Sequence, residues 1–191
     1  MYAQRPLSVE ELAEVLSVRD GDWGLREEMM DEKDILELCH GFVVVQSDTT
    51  FLQFTHQQFL QDQHLNDIGS KRVDIATACL SYLQFDDFNE WRRPLDWGPW
   101  LLKYRALAYI PSYWGHHVRE AEDSAQVQVA AVNFLLSERK RNFMTVFTQV
   151  HEVQPTLFHV IAANDLGIIC RLFLEAKSGG MVIRQVPVVS V

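Results

Sequence analysis

The chain carries seven histidines, three cysteines and several paired carboxylates that could do chemistry. The densest group is Tyr113-Trp114-Gly115-His116-His117, with Glu120 one helical turn beyond His116. A His-x-x-x-Glu spacing puts both side chains on one face of a helix, as a zinc site would need. Neighbouring helical residues point about 100° apart, however, so His116 and His117 do not readily share an ion. A packed face of aromatics and histidines is therefore the preferred reading. A small metal-dependent enzyme built on His116 and His117 is the alternative. His56 falls in the first turn of an expected helix, directly after an expected strand, where an imidazole could face a phosphate or simply sit in the cap region. Glu10-Glu11, Glu27-Glu28 and Asp86-Asp87 read as caps or solvated faces. There is no GxSxG, HExxH or CxxC and no glycine-rich phosphate loop. The expectation is a chain with no catalytic residues, no metal and no cofactor of its own.

Charge and cysteine usage narrow the class further. The 191 residues include 17 lysines and arginines against 26 aspartates and glutamates, a formal charge of −9. A duplex reader normally shows a basic stripe. The one basic cluster, Arg139-Lys140-Arg141, reads instead as a helix end, where cations suit the macrodipole. A winged-helix nucleic-acid binder stays as an alternative, with no nucleic-acid binding as the expectation. Cys39, Cys79 and Cys170 each lie in an apolar helical pattern, which suits buried, reduced thiols in a cytoplasmic protein. No apolar run approaches the roughly twenty residues of a membrane span, so no membrane partner is expected.

The elements that would position these residues follow from periodicity and caps. Ser8 and Glu11 form a capping box for a helix running to Leu16, with Leu12, Val15 and Leu16 as its apolar stripe. Asp31 can cap a second helix that ends near Gly41. Phe42–Val45 and Phe51–Phe54 read as an antiparallel pair across the polar turn 46–50. Thr55 and Gln58 cap a further helix to Leu65. This is a helix, a small two-stranded β-wing and another helix, the pattern of a winged helix with a core that should include Leu12, Leu16 and Ile35. After the polar connection 66–72 comes a strong helix from Val73 to Phe85. Loop is expected from Asp86 to Pro99, helix from Leu101 to Ile110 and again from Tyr113 to Ala121, and a further helix opened by Asp123 or Ser124. Four of the five tryptophans lie between Trp91 and Trp114. They could form a ligand cage but suit an all-α core better. Two short helices joined at Asn164-Asp165 end the pattern. The fold class expected is mainly α, in units 1–65, 66–152 and 153–178 with a tail, 179–191.

Several stretches carry a family resemblance. Arg5-Pro6-Leu7-Ser8-Val9-Glu10-Glu11-Leu12 resembles the opening of the winged helix that follows the nucleotide-binding domain in fungal NACHT-type signalling NTPases, a winged helix of the GPI inositol-deacylase type. Ile35 to Val45, Leu52 to Leu60, and Asp74 to Leu83 resemble its next segments in order. Tyr113-Trp114-Gly115-His116-His117-Val118-Arg119-Glu120-Ala121 is similar to its YWGHHAREA mark. Thr156-Leu157-Phe158-His159-Val160-Ile161-Ala162-Ala163 and Ile169 to Ala176 resemble one ankyrin repeat, with Leu157 in place of the usual proline and Asp165 in place of the turn glycine.

The resemblance implies a helical domain after the winged helix, then an ankyrin-like helix pair. It also implies a regulatory, protein-interaction segment without catalysis, belonging to the STAND class. The upstream NTPase domain and a longer ankyrin array are not in this sequence, so a truncated or fragmentary chain is expected. The expected partners are an NTPase domain, in cis or in trans, and ankyrin-type protein ligands. The matching histidine, His56, would contact the nucleotide only together with an NTPase domain. His159, Asn164 and Asp165 are the implied protein-interaction candidates. A single repeat cannot bury its own faces, so it must lean on the helical domain or begin an array.

Overall fold

The computed structural model of the chain describes residues 3–19, 21–22, 24–25, 29–38, 43–45, 52–54, 68–89, 97–147 and 156–178. Among these the chain is mainly helical. The order is α1 (Val9–Ser17), α2 (Glu32–Leu38), β1 (Val43–Val45), β2 (Leu52–Phe54), α3 (Ile68–Tyr82) and a 3-10 turn (Asp86–Asn89). Then come α4 (Gly98–Lys103), a second 3-10 turn (Arg105–Ala108), α5 (Ile110–Glu120), α6 (Ala125–Leu136), α7 (Glu138–Phe147), α8 (Leu157–Ala163) and α9 (Gly167–Ser178). β1 and β2 pair antiparallel, with Val43 opposite Phe54, Val44 opposite Gln53 and Val45 opposite Leu52. Phe42, Phe51, the helix expected from Thr55 to Leu65, His56, Cys39, Trp91 and the tail 179–191 lie outside the described residues.

The core is built where apolar residues recur every three or four positions. α3 buries Ala76, Cys79 and Leu80, with Leu83 just past its end; α5 buries Ile110, Trp114 and Val118; α6 buries Val127, Ala131, Phe134 and Leu135. α3 packs on both α5 and α6. Each fully buried large side chain contributes about 1.5–3 kcal/mol of hydrophobic transfer. An aromatic cluster closes one end. Phe88 stacks on Phe143 with centroids 4.3 Å apart and meets Tyr104 edge-on at 5.1 Å. Trp114 is buried and its indole N–H donates to the Met144 sulfur at 2.8 Å. Trp100 and Trp97 also pack against this core. Among the described residues, the tryptophans therefore serve packing.

Several expected boundaries move, each for a visible reason. α3 starts at Ile68, ahead of Val73. Gly69, Ser70, Lys71 and Arg72 are exposed there, so their polarity is no obstacle to helix. The helix expected from Leu101 to Ile110 breaks at Tyr104, whose backbone (φ −121°, ψ 82°) is not helical. Tyr104 is buried among the aromatics, and the restarted 3-10 turn draws a tertiary cap from Glu14, whose carboxylate accepts the Arg105 N–H at 2.6 Å. α5 begins at Ile110 with Pro111 in its first turn, where a missing N–H costs no helical bond. Arg139, Lys140 and Arg141 lie in the first turn of α7, not at the C-terminal end of a helix. Lys140 donates to the Gln84 carbonyl just past α3, and Arg141 to the Leu135 carbonyl in the last turn of α6. The macrodipoles these cations serve belong to neighbouring helices.

α1 differs most from its expected orientation. Leu16, expected in the core, is 53 % exposed. Val9 and Ala13 face Ile35 of α2 in a small second cluster, with Leu12 against it. The face turned to the helical region carries Glu11 and Glu14, both buried. The capping box itself forms as the spacing requires, with Ser8 Oγ accepting the Glu11 N–H at 3.1 Å and the Glu11 carboxylate accepting the Ser8 N–H at 2.8 Å.

Candidate functional site

The polar groups with the most partners cluster where the N-terminal segment meets α5. Tyr109, just ahead of α5, is the hub. Its hydroxyl oxygen accepts the Gln4 backbone N–H at 2.9 Å and lies 2.8 Å from His117 Nε2. The Arg5 guanidinium sits 5.1 Å from the Tyr109 ring centroid, a cation–π distance. Arg5 also binds Glu11 through two N–H groups, at 2.8 and 2.5 Å, and donates to the Ala108 carbonyl at 3.1 Å. The bidentate bond to Glu11 raises the Arg5 pKa. Burial pushes the Tyr109 hydroxyl up to about 12. His117 is buried, and that burial together with His116 pulls its imidazole down to about 4. It is therefore neutral at pH 7, held between aromatics.

Glu14 makes the second joint. Its carboxylate accepts the Tyr82 hydroxyl at 2.6 Å and the Arg105 N–H at 2.6 Å, so α1, α3 and the second 3-10 turn meet on one buried side chain. Burial raises its pKa above the ordinary carboxylate value, and the hydrogen bonds from Tyr82, Arg105 and Ala106 oppose that rise. The same burial, with Glu14 alongside, raises Tyr82 well above its usual value.

A third joint fastens the C-terminal helix pair. Gly115 of α5 faces Asn164 in the turn between α8 and α9. A Cβ at Gly115 would lie 1.8 Å from the Asn164 side-chain oxygen. Asn164 itself donates to the Val160 carbonyl at 2.8 Å. Asp165 takes positive φ, 54°, a conformation that favours glycine. Arg119 of α5 lies 3.6 Å from the Asp165 carboxylate. Glu122, after α5, is buried and accepts the Ile169 N–H in the first turn of α9 at 2.7 Å. Val160, Ile161, Leu166, Ile169 and Phe173 join the same hydrophobic cluster as α3, α5 and α6.

The candidate residues thus separate. His116 and His117 do not converge, because their rings are nearly perpendicular (83°) and serve different partners. His116 lies 3.3 Å from Glu120 and 3.2 Å from Arg119, whereas His117 turns inward to Tyr109. Among the described residues no group of three His, Cys, Asp or Glu could hold a metal ion. His159 caps α8, its ring nitrogen Nδ1 lying 2.9 Å from the Thr156 hydroxyl and 3.3 Å from the Thr156 N–H. Asn164 is half-buried at the Gly115 contact, and Asp165 is exposed. His56 lies outside the described residues. Asp87, Pro99, Trp100, Lys103 and Tyr104 line an open cleft of about 400 Å³. There Lys103, at 2.8 Å, and the Tyr104 hydroxyl both bind the Asp87 carboxylate. No helix among the described residues is long and apolar enough to cross a membrane.

Sequence reasoning missed Glu14, Glu122 and Tyr109. The one available signal was the spacing of Glu11 and Glu14, three apart and so on one face of α1. Nothing local marks Glu122 or Tyr109, whose partners are distant in the chain. No protein-family model, curated protein or solved structure matches this chain.

Proposed function

We propose that the chain is a non-catalytic regulatory and protein-interaction segment of a NACHT-type signalling NTPase with ankyrin repeats, acting in the cytoplasm. Residues 1–65 are its winged helix, 66–152 its helical domain and 153–178 its degenerate ankyrin-like pair. One observation carries this reading: the residues that bear the resemblance are spent on joints between elements. Arg5 of the opening stretch, held by Glu11, docks on Tyr109. His117 of the YWGHH stretch holds the same tyrosine, and Gly115 of that stretch meets the turn of the ankyrin-like pair. Residues spent on joining elements support a scaffolding role and not a reaction. The neutral, buried His117 and the divergent His116 also weigh against a histidine-based enzyme.

In this reading an NTPase domain, in cis or in trans, supplies the nucleotide site. His56 adds one contact to it, as the family resemblance implies. The exposed Asp165 and His159, with Asn164, border the face offered to protein ligands. Titration calorimetry of the isolated chain with Mg-ADP tests the assignment. Binding no better than weak is expected. Micromolar binding lost in His56→Ala would mean a self-contained nucleotide site and would overturn it.

A further inference from the structure

We propose that residues 3–8 form a strap latched through Tyr109, whose hydroxyl bonds both the Gln4 amide and His117 of α5, and that protonation of His117 releases the strap while the helical core stays folded. This inference does not rest on the proposed function. It follows from counting protons at Tyr109. The hydroxyl has one proton, and its oxygen already accepts the Gln4 N–H at 2.9 Å. Among the described residues, His117 Nε2 lies 2.8 Å from the hydroxyl and can accept that proton. His117 must then carry its own hydrogen on Nδ1. A proton added at Nε2 turns that acceptor into a donor. The Tyr109 oxygen would then face two N–H donors, and its own hydroxyl proton would lose its acceptor inside a buried site.

The surrounding charges act on the same point. Arg5 already places a cation over the Tyr109 ring, so an imidazolium at 2.8 Å from its hydroxyl sets two cations on one side chain. Glu11 neutralises Arg5 from α1. On α5, Glu120 favours the imidazolium and His116 opposes it. Arg72 of α3 lies 3.9 Å from Glu120, and Arg119 lies 3.2 Å from His116. The Cys79 thiol of α3 is buried near Tyr109, and the Tyr113 ring packs on it at 4.8 Å. The strap is the weakest member of this assembly. Only Ala3 and Leu7 of it pack against the large cluster, each partly buried, whereas α1 keeps its separate hold through Glu14. Local opening therefore requires less free energy than opening the core.

Nuclear magnetic resonance on the full chain, labelled with ¹⁵N, reads each step. Two-bond correlations from the imidazole should show His117 as the neutral Nδ1–H tautomer at pH 7. The protection factor of the Gln4 amide should fall about tenfold per pH unit below about 6.5, levelling near pH 4. Amides of α3 and α6 should stay far more protected than the Gln4 amide over that range. Glu11→Gln should leave the Gln4 titration in place. His117→Gln, which keeps an acceptor but does not titrate, should flatten it. Tyr109→Phe should abolish Gln4 protection at every pH. An Nε2–H tautomer, or Gln4 protection that ignores pH in the unaltered chain, would overturn the proposal without any variant. A Gln4 titration that survives in a folded His117→Gln chain would overturn it too.

Discussion

His117 shows how a polar residue becomes structural by losing its charge. Its ordinary imidazole titrates near 6.5, and in the fold it is held at about 4. A base whose folded pKa is depressed gives stability that is complete above the unfolded value and is lost as pH falls toward the folded one. Global stability should therefore drop by about 3 kcal/mol from this group between pH 6.5 and pH 4. Urea denaturation across that range measures it, and His117→Gln should remove that part of the slope. Glu14 behaves with the opposite sign. Its pKa is raised, so its contribution is complete below about 4.5 and declines as pH rises through the folded value. The hydrogen bonds from Tyr82 and Arg105 keep that decline small compared with an unpartnered buried carboxylate.

At the scale of elements, α5 and the α8–α9 turn are set by one glycine and one strained aspartate. Gly115→Ala places a methyl within 2.7 Å of the Asn164 Cβ and closer still to its amide. The turn must shift, at a cost of about 1–3 kcal/mol by thermal or urea unfolding. Asn164→Gly should recover part of that loss, because it removes the atoms that clash; a double-mutant cycle showing no coupling between the two sites would contradict the contact. Asp165 sits at φ 54°, where a Cβ is disfavoured. Asp165→Gly should raise stability by about 0.5–1 kcal/mol, since its exposed partner Arg119 contributes little.

The whole molecule is joined by carboxylates as much as by apolar surface. Glu14 directly, and Glu11 through Arg5, fasten α1 to the helical region, and Glu122 caps α9 from outside the pair. The α8–α9 pair shares its buried cluster with α3, α5 and α6, so it should unfold with them. Ile169→Ala, at a fully buried position of α9, should cost about 2–5 kcal/mol. The loss should shift the tryptophan-fluorescence and far-ultraviolet transitions equally. A fluorescence transition unmoved by that change would show that the pair folds as a separate unit.

Local signals determined much of this architecture before any contact was known. Ser8 with Glu11, the apolar spacing of Ala76, Cys79, Leu80 and Leu83, and the break at Asn164-Asp165 are short-range features. Each depends on hydrogen bonds or faces within about one turn, which is why the helices and the turn could be read directly. The tertiary structure alone decided where the polar side chains go. Leu16 points outward and Glu14 inward because α1 is claimed by Tyr82 and Arg105, 68 and 91 residues away. Lys140 and Arg141 lie in the first turn of a helix, yet the carbonyls they cap belong to other elements. His116 and His117, adjacent in sequence, part because one finds Glu120 and the other Tyr109. Helical periodicity says which face a residue occupies. Only packing says what that face meets, and the chemistry of a histidine or a glutamate depends on that neighbour.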